Sequence, residues 1–406
     1  WSLKPNEPDN PSHEIPGIMD RAVIQNNKTI TVTTDDTQCG ILDVIDGIVD
    51  FGTTTGSTFS TITGQVNGKI RLAADNFPSG DAGEFADASS GGTVEYYGTG
   101  YNLSTSRTFR NMVVNLTNTT NKLYLLSNYT LNGSLTITRG EFYFGDNVST
   151  TSRSLTVYGD FVVEANGKVH TGSANARHQL NLYGDFTNRG NIQLTNRAAA
   201  DYTAEATDGI VDANFLSATR NQSMLLYGPT RFYRIAISKG LSSTYELYMW
   251  ASSSAYFELF GYANEGHPDE KQLLVNNNSL GLAYGTVRVG ANITVPRLNG
   301  GGNYNVSENA ILWVDGGTVT KPSGTAVVVY GKVKVSAGTF NANINSGITT
   351  RLNGVFESTG GTTNLGQFRT SVYGTQHIGG FIQSGGNVTV DQAYGSSSDY
   401  YLFSLS

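Results

Sequence analysis

Leu131-Asn132-Gly133-Ser134-Leu135, Val157-Tyr158-Gly159-Asp160-Phe161 and Leu182-Tyr183-Gly184-Asp185-Phe186 are three spellings of one phrase. Each runs from an aliphatic residue through Tyr or Asn and a glycine into a short alternating strand. The phrase returns as Val329-Tyr330-Gly331-Lys332-Val333, Leu352-Asn353-Gly354-Val355-Phe356 and Ile378-Gly379-Gly380-Phe381-Ile382. Its aliphatic residues lie 26 and 25 positions apart in the first set, and 23 and 26 in the second. A step in this range is what one coil of a β-solenoid occupies. The glycine suits a corner where the backbone turns sharply and a Cβ would be crowded.

The residues between the phrases agree with that period. Leu135 and Ile137 alternate with Thr136 and Thr138, Phe142 and Phe144 flank Tyr143, and Val333 and Val335 flank Lys334. Such period-two alternation marks half-buried strands whose inward side chains must stack on the coils above and below. The expected fold is all-β: a parallel β-helix, right-handed, with coils of about 23–26 residues and protruding loops. About sixteen coils at ~4.8 Å each would give a rod on the order of 75 Å long. The whole chain, residues 1–406, reads as a single elongated segment, with diverged sub-blocks over 1–200 and 201–406. The sub-blocks rest on a looser echo of Gly92–Val114 in Ala213–Ile237. Loops are expected at Asp75–Ser90, Arg197–Asp208 and Tyr262–Lys271.

Composition narrows the function classes. Glycine is 48 of 406 residues, charged residues are 15% and hydrophobic ones 38%, too little apolar material for one large round core. Yet 22 Tyr and 18 Phe argue against disorder. The net charge is −7 with no basic block, so a nucleic-acid partner is not expected. No run of about 18 apolar residues exists, so no transmembrane segment is expected. A single cysteine, Cys39 in an apolar context, excludes an internal disulfide and reads as a small buried hydrophobe.

The N-terminal order is Trp1-Ser2, Ile15-Pro16-Gly17, Asp20, Ala22-Val23-Ile24, Lys28-Thr29-Ile30-Thr31-Val32 and Cys39-Gly40-Ile41-Leu42. It resembles the opening of repetitive secreted proteins of gliding and marine Bacteroidota. Thr230–Gly240, Ser358-Thr359-Gly360-Gly361 and Ser384-Gly385-Gly386-Asn387-Val388 are similar to further phrases of those proteins. The resemblance, to gliding-motility adhesins among others, implies a very large protein exported by the type 9 secretion system to the cell surface. There it would serve adhesion or gliding, attached through regions outside this chain. The end at Leu402–Ser406 carries no sorting-domain pattern and is expected to fall within a coil.

Candidate chemistry is sparse. Parallel β-helices can carry paired carboxylates for glycan cleavage, and Asp35/Asp36, Asp43/Asp46/Asp50 and Asp160/Asp185 are the candidates. Asp160 and Asp185 would stack one strand spacing apart, but Lys332 and Val355 at the equivalent places speak for a solvated corner. Asp75, Asp81, Glu84 and Asp87 supply oxygens for a calcium ion without matching a known calcium loop. His13, His170, His178, His267 and His377 lack metal-ligand spacing and read as surface or turn residues.

Aromatic residues are the candidate contact surface. Tyr96, Tyr97, Tyr158, Tyr183 and Tyr330 are expected to point outward, and Tyr248 and Trp250 belong to a second cluster near His267. Stacked tyrosines could bind sugar rings, or serve only as a ladder between coils. The expected function is a non-catalytic structural and adhesive segment, a rigid stalk meeting polysaccharide or a substratum. The alternatives are a polysaccharide-degrading β-helix enzyme, or a filament subunit that stacks end to end.

Overall fold

The computed structural model of the protein describes residues 17–146, 148–172, 175–196, 208–260, 273–275, 281–298, 302–321, 326–371 and 379–391. These form a parallel β-solenoid of about 14 turns, without an α-helix among them. About sixteen turns are expected for all 406 residues; within the described ones, two enlarged turns take up chain that ordinary turns would use.

Each complete turn carries three short strands, and strands of successive turns pair in parallel to build three columns. Residues 135–137 start one turn, residues 141–144 continue it after a bend within Leu135–Phe144, and Ser154–Val157 closes it. The first column is in unbroken register. Ile30, Val49, Ile70, Val94, Met112, Leu135, Phe161, Phe186, Met224, Met249, Val289, Val314, Val335 and Ser358 sit directly on one another. From Val49 to Val335 this file is buried and belongs to one continuous apolar core running from Ala22 to Leu365. Burying each such side chain contributes ~1.5–3 kcal/mol, and every layer shelters its neighbours.

The period is not uniform. Phe186 to Met224 spans 38 positions and Met249 to Val289 spans 40, against 25 or 26 for ordinary turns nearby. Residues 197–207 and 261–272 fall in those enlarged turns, outside the described residues, and with them lie most of two expected loops. The third expected loop, Asp75–Ser90, is not a plain protrusion. Ser79–Asp81 pairs with Thr58–Gly64, and Phe77 and Phe85 are buried. The Phe77 ring lies 4.9 Å from Phe109 and 6.2 Å from Phe85, filling the core where the third column breaks.

The corner glycines are dictated by close approach. A Cβ on Gly184 would lie 2.0 Å from the Gly159 carbonyl oxygen, and one on Gly159 would lie 2.6 Å from the Gly133 carbonyl carbon. The later copies of the phrase are offset. Val329 pairs with Thr350 while Val333 pairs with Phe356, so the corner between them gains two residues. Leu352 therefore takes a left-handed backbone (φ 51°) at a half-buried corner, and is not an inward aliphatic. Ile378 lies outside the described residues.

Candidate functional site

The outer surface is built from side chains that serve the stack itself. At the corner after the third column, acceptors climb one turn at a time. Asn111 Oδ1 accepts the Ser134 amide at 2.8 Å, and Ser134 Oγ accepts the Asp160 amide at 3.0 Å. Asp160 Oδ1 accepts the Asp185 amide at 3.0 Å, and Asp185 Oδ1 accepts the Ser223 amide at 2.8 Å. Arg220 spans both carboxylates, at 3.3 Å from Asp160 and 3.5 Å from Asp185. Their lone pairs bind backbone and guanidinium, which is the work of a corner clamp.

The other carboxylates are similarly occupied, except Asp46, whose Oδ1 is buried without a hydrogen-bond partner. Asp43 holds Arg21 and accepts from Thr63, while Asp50 accepts from Arg71, Tyr97 and the Gly52 amide. Asp35 accepts the Thr55 amide at 2.7 Å, and Asp36 turns the chain with a left-handed φ of 57°. Of the calcium candidates, Asp75 accepts the Ser104 and Thr105 amides, and Asp81 the Gly83 amide. Asp87 accepts from the amides and hydroxyls of Ser89 and Ser90, which hold its carboxyl well below the usual range. Glu84 is exposed. Among the described residues no three His, Cys, Asp or Glu side chains are grouped as a metal ion requires.

The aromatic candidates fall at three separate places. Tyr158 and Tyr183 stack at 4.6 Å with their planes 26° apart. The pair goes no further, because the backbone hydrogen bonds put Leu216 and then Ser238 at the same corner position. Tyr330 occupies that position several turns on, after Ser307, and accepts from Arg351 at 3.3 Å. Tyr248 and Trp250 are on the first column. Arg288 lies 4.8 Å from the Tyr248 ring and 4.1 Å from Trp313, and Lys334 lies 4.5 Å from Trp313. Trp250 packs at 5.3 Å against Tyr227. Tyr96 departs from the expected outward direction. It is fully buried, its hydroxyl 3.4 Å from that of Tyr129, because it shares the inward phase of Val94, while Tyr97 takes the outer face.

Two histidines also differ from surface residues. His178 shares the inward phase of Leu180 and Leu182 and is fully buried, its Nδ1 accepting the Arg153 amide at 3.0 Å. Burial, with Arg153 adding to it, pushes its pKa down to about 4. His170 is half-buried on the outer face of the second column, and burial lowers its pKa. His13, His267 and His377 lie outside the described residues. Cys39 is buried as expected.

Comparison of the chain with protein-family models, curated proteins and solved structures finds no match in any of the three. The surface must be read on its own geometry.

One feature of that surface escaped the sequence reading. Tyr124, Tyr143 and His170 are register partners on three successive turns of the second column. Their ring centroids are 5.1 and 4.9 Å apart, and Tyr143 lies within 25° of parallel to His170. They line an open groove of about 450 Å³ with Lys122, Thr171 and Gln193. Beneath them Glu141 is tied to Lys168 at 2.9 Å and accepts from the Tyr143 hydroxyl at 2.8 Å. Each residue is an outward position in an ordinary alternating strand, so only the inter-turn register brings them together.

Proposed function

We propose that this chain is a non-catalytic, rigid spacer segment of a large secreted protein, displayed at the cell surface and used in adhesion. The observation that carries this reading is the first-column file, in register from Ile30 to Ser358 above a single apolar core. A column whose layers are all mutually sheltered resists bending and holds whatever flanks it at a fixed distance. Fourteen turns at ~4.8 Å correspond to a length on the order of 65 Å. The occupied lone pairs of Asp160 and Asp185 favour a mechanical role for those residues over glycan cleavage. Export by the type 9 system and surface attachment belong to the same proposal and rest on the sequence resemblance.

Small-angle scattering of the whole chain, and of a variant lacking residues 135–160 (one 26-residue turn), tests it. The maximum dimension should fall by about one strand spacing, ~5 Å, with cooperative melting retained. A globular scattering profile, or release of reducing ends or unsaturated products from polysaccharides by the pure protein, would overturn it.

A further inference from the structure

We infer that the groove over Tyr124, Tyr143 and His170 is a binding subsite for an acidic sugar unit, a uronic acid residue of a polysaccharide. Three observations carry it. The first is an unsatisfied polar pair at the groove wall. Thr171 Oγ1, on a residue only 1% exposed, is buried without a hydrogen-bond partner, and His170 Nε2 is buried with no close one, the Gln193 side chain being the polar group beside its ring. Buried polar groups are normally paired, and leaving one orphaned is destabilising, so a small turn of either side chain towards a ligand hydroxyl in the groove would be favoured.

The second is the aromatic floor. Tyr124 ends the stack, and its register partner on the far side is Asn102, an exposed residue too short to cover the ring. A partly open tyrosine face beside polar groups suits the apolar face of a pyranose.

The third is charge. Lys69, Lys168 and Lys332 on this rod each hold a glutamate within 3 Å. Lys122 is exposed above the Tyr143 ring at 5.2 Å and makes no ion pair among the described residues. With Lys168 it sets two cations against the single Glu141, on a chain whose net charge is −7. A free ammonium at the rim of a polar, ring-floored groove selects a carboxylate-bearing sugar over a neutral one.

The inference gives the adhesive part of the proposed function a ligand class, but scattering reads the spacer and binding reads the groove, so either can fail alone. The test is calorimetry of the whole chain with oligogalacturonate and with neutral cello-oligosaccharides of equal length. Oligogalacturonate should bind, and the neutral oligomers at least tenfold more weakly. Lys122→Gln, an exposed change, should weaken uronate binding about tenfold and flatten its salt dependence without moving the melting temperature. Tyr124→Ala should abolish it. Absence of uronate binding, equal binding of neutral oligomers, or an unaffected Lys122→Gln protein would each overturn the assignment.

Discussion

Asp160 accepts the backbone amide of Asp185 through Oδ1 at 3.0 Å, so a side chain of one turn completes the main chain of the next. What matters is an acceptor at that height, and charge is secondary because both carboxylates are about half exposed. Asp160→Asn keeps the acceptor and should leave the denaturation midpoint nearly unchanged. Asp160→Ala orphans the Asp185 amide and should destabilise by about 1 kcal/mol. Urea titration of the two proteins distinguishes them. Equal losses in both would mean that the Arg220 ion pair is the relevant interaction.

The glycine of the same corner makes a sharper demand. Gly184→Ala would drive a methyl to 2.0 Å from the Gly159 oxygen, which is main chain and cannot swing aside. Destabilisation of about 1–3 kcal/mol is expected. Gly380→Ala is the control, since its Cβ would meet Val355 Cγ2 at an ordinary 3.7 Å. Thermal melting should separate the two, with Gly380→Ala within about 0.5 kcal/mol of the parent.

The contrast between those glycines also shows what the sequence could tell. The phrase around Gly133, Gly159 and Gly184 made the solenoid legible because each copy stacks on the last at constant spacing. The copy at Leu352 misleads, since aligning Leu352 with Val329 assumes a corner of fixed length. Register instead matches Val333 to Phe356 and absorbs two residues at the bend. Tyr96 and His178 were misplaced for a related reason. Inward or outward phase restarts after every corner, and residue type does not announce which phase it takes. The echo between Thr108–Val114 and Thr230–Ile237 puts Phe109 on the third column and Phe232 on the second. The Tyr124–Tyr143–His170 shelf was invisible because its members are 19 and 27 residues apart, a spacing that has meaning only once the turns are counted.

His178 makes stability depend on acid. Its folded pKa, about 4, lies below the usual 6.5, so between these values the unfolded chain binds the extra proton. The stability associated with the neutral ring is whole above pH 6.5 and is lost as pH falls towards 4, by about 3 kcal/mol in all. His178→Gln retains an acceptor for the Arg153 amide and removes the titration. Denaturation curves at pH 7 and pH 4.5 should diverge less for this variant than for the parent. An unchanged pH dependence would assign the acid sensitivity to the carboxylates.

Lys239 works in the opposite pH range. It is fully buried, donating to the Arg220 carbonyl at 2.8 Å and to Gln222 Oε1 at 2.9 Å, with no carboxylate within ion-pair distance among the described residues. Burial, with the Arg220 guanidinium adding to it, pushes its pKa down to about 7 from 10.5. Between those values the unfolded chain holds the proton and the folded chain releases it, so stability should rise from pH 7 to pH 9.5. Lys239→Met fills similar volume without a charge to bury, and Gln222 Oε1 still receives the Ser217 amide at 3.1 Å. The variant should be the more stable protein at pH 7, with a denaturation midpoint that no longer climbs towards pH 9.5. A parent whose midpoint is flat over that interval would mean that Lys239 stays charged in its two hydrogen bonds, and that the turn tolerates a buried ammonium.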